Sequence, residues 1–428
     1  ASPIEEASMP ESPIGMRRPQ DPTWPDAGAA RIPLWAYADR AVYERELERI
    51  FYGPHWCYVG LEVEIPNVGD YKLTRIGERS IIVVRNADGV AALENRCAHH
   101  AAKVCQKNFG SAKELICPYH QWTYDLKGDL TAVPFRRGLK KQGGMPADFT
   151  IAGRGLVKLA VAVRNGVIFA SFDPSVEPFE RYLGATNLRY FDRVFDGRTL
   201  RLHGYSRQRI PANWKLMQEN LKDPYHASLL HVFFVTFGLF RADQTGAIQM
   251  DERGRHCVMS LQRPVDDVGT AKANESTGEM RQFQDGLTLR DPRIFDVVRE
   301  WPGKDTVGIQ TIFPSLIIQQ QSNSLTTRQA LPNGPDSFDF VWTHFGYEDD
   351  TDEMTTRRLR QANLFGPAGY VSVDDSEVLE INQQAAAGSP HGECFIEMGG
   401  VGTEDTDHVV TEAGVRGFYR YYREVMGY

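Results

Sequence analysis

Four metal-binding side chains stand in two short runs, Cys97-Ala98-His99 and Cys117-Pro118-Tyr119-His120. Each run brings one thiolate and one imidazole. A two-iron, two-sulfur cluster with two Cys on one iron and two His on the other needs this set, and imidazole in place of thiolate raises its reduction potential. Two facing hairpin tips, each supplying one donor of each kind, can clamp such a cluster. A structural zinc ion uses the same donor types. Zinc sites usually group Cys with Cys and His with His, at wider separations than Cys-x-His. A zinc-stabilised binding protein without a redox role is therefore the weaker alternative.

An electron-carrying centre needs a destination. The segment from Asn213 to His231 carries Asn220, Asp223, His226 and His231. Two His and a carboxylate form the ligand face of a mononuclear iron(II) site that keeps positions open for O2. On an ideal helix a separation of five puts the two His about 140° apart. They share a metal only if the helix ends or bulges between them, and Pro224, within the run, points to such an irregularity. The carboxylate is Asp223 or comes from Asp374-Asp375, which open a helix after Gly366-Pro-Ala-Gly. Acids there also cap helices and complement the helix dipole, and spacing does not choose between the two.

These sites need scaffolds. Residues 1 to about 34 are rich in Pro, Ser and Ala and read as an extended arm, followed by a helical stretch at 41–51. From 56 to 172 short β-rich runs (71–75, 81–85, 90–94, 122–124, 156–163, 167–172) alternate with turn signals, an all-β block with the first metal set on its loops. Beyond 172, helical runs at 178–195, 214–222, 291–300, 352–365 and 412–426 alternate with strand-like runs at 309–318, 322–331 and 338–347. The fold class is α+β. An arm and helix at 1–55 packs with a catalytic domain at 173–428, whose antiparallel sheet is surrounded by helices (helix-grip-like), and the all-β domain at 56–172 lies between them in the chain.

Bulk properties narrow the partners. The 428 residues suit two to three domains. A net charge of −8, with no Lys/Arg run beyond pieces such as Arg136-Arg137, excludes nucleic acid and anionic membrane as expected partners. No apolar stretch approaches the ~18 residues of a membrane span, and no basic-then-apolar leader is visible, so a cytoplasmic location is expected. Of six Cys, two go to the cluster; the other four, including Cys105 between the two loops, read as buried thiols in a reducing compartment.

Together these residues resemble the large (α) subunit of the ring-hydroxylating Rieske non-heme iron oxygenases over nearly the whole chain. The likeness runs from Trp24 and Trp35, through Cys-x-His…Cys-x-x-His and Glu219-Asn…Asp223-x-x-His-x4-His, to Phe365-Gly-Pro-Ala-Gly…Asp374-Asp. Within the family it is most like the salicylate 5-hydroxylase type, on Gln20-Asp-Pro-Thr-Trp-Pro, Cys117-Pro-Tyr-His-Gln-Trp, Pro134-Phe-Arg-Arg-Gly and Asn213-Trp-Lys-Leu-Met-Gln-Glu-Asn. Terephthalate and anthranilate dioxygenase large subunits are looser likenesses.

The resemblance implies a Rieske 2Fe-2S cluster on Cys97, His99, Cys117 and His120, and mononuclear iron(II) on His226, His231 and Asp375. It puts Asn220 near the iron and makes Asp223 a bridge from His120 of one subunit to His226 of its neighbour. Electrons would come from NADH through a reductase and a ferredoxin, and a small β subunit would complete an α3β3 assembly. The implied activity is O2-dependent hydroxylation of an aromatic carboxylate, salicylate to gentisate. The alternatives are cis-dihydroxylation of another aromatic acid, of terephthalate or anthranilate type, and an electron-transfer Rieske protein without oxygenase activity; a chain ending near residue 172 would fit the latter. Arg328, at a position similar to the substrate-carboxylate Arg of the terephthalate enzymes, is the candidate clamp. Gln319, Gln321 and Asn323 are candidates for a phenolic hydroxyl, and Met217, Leu364 and Phe365 for the pocket floor. One departure stands out: the family usually has Arg-Gly after the first ligand His, whereas this chain has His100-Ala101. A His offers fewer donors and a pH-dependent charge, so the cluster potential or the ferredoxin contact is expected to differ.

Overall fold

The structure, a computed structural model, describes residues 22–428 apart from 141, 238–239, 241, 243, 263–286 and 288. Most of the expected arm lies outside the described residues; Trp24 and Trp35, within them, meet edge-on with ring centroids 5.7 Å apart.

The first half of the chain builds three small antiparallel sheets. One orders Ala160–Arg164, Val167–Ser171 and Cys57–Leu61; a second orders Gly89–Glu94, Arg79–Asn86, Asp70–Ile76 and Phe109–Ser111; a third orders Leu115–Ile116, Thr123–Tyr124 and Leu130–Ala132. The strand Arg79–Asn86 joins two cores. Its Ile82 and Val84 pack with Cys97, Cys117, Trp122 and Tyr124, while Ile81 and Val83 enter the main core with Val59, Trp214 and Phe418. Period-two alternation with both faces covered explains why Ile81–Val84 read as one continuous apolar run.

The second half folds around one seven-stranded antiparallel sheet. Its strands, in chain order, are β1 (Leu200–Ile210), β2 (Gly246–Met250), β3 (Cys257–Gln262), β4 (Asp305–Ile312), β5 (Leu316–Gln321), β6 (Ser324–Pro332) and β7 (Phe338–Tyr347), arranged β1-β7-β6-β5-β4-β3-β2. The helices are α1 (Arg40–Glu46), α2 (Phe179–Val194), α3 (Trp214–Asn220), α4 (Val232–Thr236), α5 (Asp352–Phe365), α6 (Ser372–Gly388) and α7 (Ala413–Met426). One face of the sheet packs on α2 and the first-half strands: Ile318, Leu325 and Phe345 join Phe179, Phe191 and Phe169. The other carries Met259, Ile309, Ile317, Phe340 and Trp342, which pack with Trp214, Met217 and Leu379 of α3 and α6.

Three expected elements differ. The run at 309–318 is two antiparallel strands, β4 and β5, with Ile312 opposite Leu316; Pro314 between them has no N–H to continue a ladder. At 156–163 only Ala160–Arg164 is a full strand; Lys158 makes a single antiparallel bridge to Leu93, and the Leu156 N–H donates to the Gly128 carbonyl. The helix expected at 291–300 is a single 3-10 turn, Pro292–Phe295. Side chains intercept the backbone that would have continued it: Asn323 holds Val298 N–H at 3.0 Å and its carbonyl at 2.9 Å, and Arg357 and Gln361 both donate to the Asp296 carbonyl.

A fully buried ion pair locks α3 to α1. Lys215 Nζ donates to Glu46 Oε1 at 2.6 Å, and both side chains are 0% exposed. Trp214 Nε1 and Tyr422 Oη donate to the same carboxylate at 2.9 and 2.6 Å. Replacing one partner strands the other charge in the interior, so Lys215→Met is expected to destabilise the protein by about 3–5 kcal/mol. The double variant Glu46→Leu/Lys215→Met should recover most of that loss; urea-unfolding midpoints of the two check it.

Candidate metal centres and active-site pocket

The two Cys/His runs fold as matching loops. In the first, Cys97 N–H donates to the Ala102 carbonyl and Ala101 N–H to the Cys97 carbonyl; in the second, Cys117 N–H donates to Trp122 and Gln121 N–H to Cys117, all at 2.9–3.0 Å. Ala101 (φ 60°) and Gln121 (φ 55°), each four residues after its Cys, are left-handed. The fold thus turns both loops so that the buried Cys pair lies beneath an exposed His pair. Tyr124 Oη lies 3.1 Å from Cys97 Sγ and donates to no other acceptor in these loops, while it accepts from Ala98 N–H. His99 stacks on Trp122 at 4.7 Å, interplanar angle 3°, and its ring lies 4.6 Å from that of His120. Burial raises the Cys117 thiol above its ordinary value, with Cys97 adding to the effect. Tetrahedral zinc would draw four donors to within about 4 Å of one another. Among the described residues the one set of three or more donors that converges within 4.8 Å is a different one. The loop set pairs two buried thiols with two exposed imidazoles, the division of donors that a two-iron cluster uses.

The converging set is His226, His231 and Asp375. Helix α3 ends at Asn220, a 3-10 turn (Pro224–Ser228) carries His226, and His231 stands just ahead of α4. The interruption that a five-residue spacing requires is thus present. Both imidazoles present Nε2 inward, 3.5 and 3.3 Å from Asp375 Oδ1. Each outer Nδ1 faces an acid-bearing partner: His226 Nδ1 contacts the Asp223 carbonyl and lies 3.9 Å from its carboxylate, and His231 Nδ1 lies 3.3 Å from Asp374 Oδ2. A carboxylate–imidazole pair behind a ligand fixes its tautomer and orientation, so the adjacent acids divide the work, Asp375 facing inward and Asp374 orienting His231. Asn220 Nδ2 donates to Asp375 Oδ1 at 3.0 Å. Burial works to raise the Asp375 carboxyl, but hydrogen bonds from the two His outweigh it and hold it far below the carboxylate range. Burial opposes charge on His226, yet Asp375 and then Asp223 lift it to about 9. Two imidazoles crowded on one carboxylate in a buried site are an arrangement that a divalent cation would complete.

Two domain families match the sequence: the Rieske 2Fe-2S domain over residues 55–142 and the ring-hydroxylating alpha subunit catalytic domain over residues 191–428. The chain is 56% identical to the salicylate 5-hydroxylase large oxygenase component of Ralstonia sp., over 96% of this chain and 97% of that one. It is 43% identical to the anthranilate 1,2-dioxygenase large subunit of Burkholderia cepacia, over 95% and 96%. Among solved structures, naphthalene 1,2-dioxygenase from Rhodococcus sp. superposes with a TM-score of 0.74 at 26% identity, over 92% and 94% of the two chains. The chain belongs to the ring-hydroxylating oxygenase α subunits. It therefore carries a Rieske 2Fe-2S domain and a mononuclear-iron catalytic domain, and is the large component of a multicomponent oxidoreductase.

In this oxygenase a pocket opens beside the His226–His231–Asp375 set. Asn220, Asp223, Gln319, Gln321, Arg328 and Phe365 line it, with an apolar wall of Phe234, Phe240, Met259, Leu261, Val307 and Ile309. Neither Met217 nor Leu364 lines it. Met217 faces the main core beside Trp214, because α3 meets the pocket only at its very end, through Asn220 and the following Leu221, and Leu364 packs in the cluster of Phe234, Phe240 and Phe295. Asn323 is also absent from the lining, its side chain being taken up by Val298 and Glu300. The wall residues on β3 and β4 had no signal beyond ordinary strand hydrophobicity; register reveals them, since Met259 pairs with Ile309, Ile309 with Gln319, and Leu261 with Val307. The division of work between the acids gives a test. Asp375→Ala should lose mononuclear iron and keep the cluster, whereas Asp374→Asn should weaken iron binding by about 10–100-fold. Iron titration and the visible spectrum read the two centres separately.

Proposed function

We propose that this oxygenase hydroxylates a single aromatic ring bearing a carboxylate, with salicylate converted to gentisate. One observation carries the reading: Arg328 is 4% exposed in the pocket, and its Nε and Nη2 have no hydrogen-bond partner among the described residues. Among the described residues it forms no ion pair. Burial pulls its guanidinium down to about 9, against the opposing influence of Asp375, so it still carries its charge at neutral pH. A buried, charged and unpaired fork is costly unless an anion completes it, and the planar geometry of a carboxylate matches it. Its guanidinium lies 4.8 Å over the Trp342 ring, which fixes its plane. Gln319 Nε2 is engaged by Gln321 Oε1, leaving Gln319 Oε1 buried and without a partner; it suits a phenolic O–H donor. A ring held between Arg328 and the His/Asp set presents an edge to the metal position, and the apolar wall excludes water. The runner-up, cis-dihydroxylation of a related acid, draws on the 43% and 40% identity to anthranilate and terephthalate dioxygenase components.

In this reading Cys97, His99, Cys117 and His120 hold the cluster, and His226, His231 and Asp375 hold iron(II). The metals supply electron storage and O2 activation. The chain's own residues bind the carboxylate, orient the ring and fix the imidazoles. Electrons reach the cluster from NADH through a reductase and a ferredoxin. A small β subunit in an α3β3 assembly brings His120 of one copy near Asp223 of the next. Asp223 supports this role by its position: it is half-buried behind His226, burial lifts its carboxyl to about 6, and its Oδ1 has no partner among the described residues. The chain divides at about 55 and 172 into arm, Rieske domain and catalytic domain.

The deciding experiment is a single turnover of the reduced, iron-loaded protein with salicylate and labelled O2: gentisate carrying one labelled oxygen is expected, and a diol would favour the runner-up. Arg328→Leu should weaken binding of carboxylated rings by about 2–4 kcal/mol and leave uncharged rings nearly unaffected; equal losses would remove the clamp. Asp223→Asn should keep both metal centres yet slow reoxidation of the cluster sharply in stopped-flow traces.

A further inference from the structure

The pocket does not account for all the unpartnered polar atoms on its side of the sheet. Besides Arg328, Trp342 Nε1, His344 Nδ1 and Gln208 Oε1 are buried with no hydrogen-bond partner among the described residues. The strand register puts them together. Arg328 on β6 pairs with Trp342 on β7, which pairs with Ser206 on β1. The next row joins Thr326, His344 and Gly204, and the row on the other side joins Ala330, Phe340 and Gln208. Directly paired residues share a face and lie about 5 Å apart, so these atoms form one polar strip from Arg328 to the β1 edge. The contacts agree: Trp342 stacks on His344 at 6.2 Å and 20°, His344 Nε2 lies 3.1 Å from Ser206 Oγ, and Gln208 Nε2 donates to Ser376 Oγ, next to Asp375, at 2.6 Å.

Exposure rises along the strip. Arg328 and Trp342 are buried, whereas His344, Ser206 and Gln208 are half-buried. A side chain at Gly204 would meet nothing within 4 Å, and β1 is the edge strand of the sheet. A substrate carboxylate can satisfy Arg328 but not the others, because Trp342, His344 and Gln208 do not line the pocket. Buried donors and acceptors require partners, and a polar strip with open space at one end meets the conditions for ordered water.

We infer that a file of ordered water enters at the β1 edge beside Ser206 and His344, passes Trp342 Nε1 and reaches Arg328, and that it carries protons to the active-site pocket. The reaction needs them: for monohydroxylation, an aromatic C–H, O2, two electrons and two protons give the C–OH product and water. The pocket's opposite wall of Phe234, Met259, Leu261 and Ile309 offers no such route. His344 is suited to the relay, since a neutral imidazole accepts at one nitrogen and donates from the other. Burial holds it down at about 4, so it is neutral at working pH. The inference rests on the assignment of the iron site, not on the identity of the aromatic acid.

Two measurements test it. A high-resolution crystal structure should show ordered waters bridging Trp342 Nε1 and His344 Nδ1; a dry strip would overturn the inference. In the iron-loaded enzyme, His344→Phe and Ser206→Ala should retain both metal centres and the KM for the aromatic acid. They should lower kcat by about tenfold or more and enlarge the solvent isotope effect in D2O, with His344→Gln restoring part of the rate. Wild-type kcat and isotope effect in all three variants would sink the relay even with water in place. Full iron retention by Asp375→Ala would instead refute the site assignment while leaving the water file visible.

Discussion

Two imidazoles five residues apart can meet one carboxylate because α3 stops at Asn220. The stop is built from both ends. At the start, Asn213 caps Lys215 N–H with Oδ1, and its Nδ2 ties the corner to the Tyr37 and Pro335 carbonyls. At the finish, the buried Lys222 ammonium donates back to the Gln218 carbonyl and side-chain oxygen at 3.2 and 2.9 Å, occupying a carbonyl in the last turn of the helix. Asp223 then leaves the helical region (φ −114°, ψ 83°), and Pro224 opens the tighter turn that swings His226 toward His231. The same corner positions the carboxylate that both imidazoles face, since Asn213 N–H donates to Gln383 Oε1 of α6, whose first turn bears Asp375. Three residues separated by up to 149 positions are therefore set by one helix with two fixed ends.

The seven-stranded sheet separates two environments that the chemistry needs to differ. Toward the first-half domain, Tyr58 Oη meets Thr327 Oγ1 at 3.0 Å and Gln329 donates to the Tyr58 carbonyl at 2.7 Å, so that face is a domain contact. Toward the helices, one end of the sheet is apolar and the other polar, because Met259, Leu261, Val307 and Ile309 lie on strands remote from β1. A ring packs against the first part and ionic or proton-exchanging groups sit on the second. The division follows from strand order, and two residues adjacent in sequence, such as Gln319 and Gln320, end on opposite faces with unrelated partners.

Much of this was legible in the chain. The Cys/His runs, the His-x4-His spacing and the Asp-Asp pair carry their chemistry in local order, and the strands at 322–331 and 338–347 are apolar enough to read. Other parts were not. β1 reads Leu-Arg-Leu-His-Gly-Tyr-Ser-Arg-Gln-Arg-Ile, an edge strand whose polar residues serve the interior strip and the domain contact, so it lacks the hydrophobic alternation that marks a half-buried strand. The false helix at 291–300 had helical composition but lost its backbone to Asn323, Arg357 and Gln361, partners no local pattern reveals. Met217, a candidate for the pocket floor, packs in the main core with Trp214, while Asn220 and Leu221 at the end of α3 line the pocket. Spacing does not separate Asp374 from Asp375; the resemblance favours Asp375, and both His rings turn Nε2 toward its Oδ1.

The departure from the family pattern at His100-Ala101 is absorbed by the same geometry. Ala101 stands where a left-handed backbone is required, a conformation that costs a non-glycine residue roughly 1–2 kcal/mol. Gln121 meets the same demand in the second loop, so this loop pair already tolerates a side chain there, and each carries a hydrogen bond from that residue back to its Cys carbonyl. An Ala also restricts the unfolded loop more than Gly does, which offsets part of the strain. His100 meanwhile packs 4.1 Å from His99 and 5.4 Å from His120, with Tyr119 at 5.9 Å. This chain therefore presents a compact group of rings beside His99 and His120.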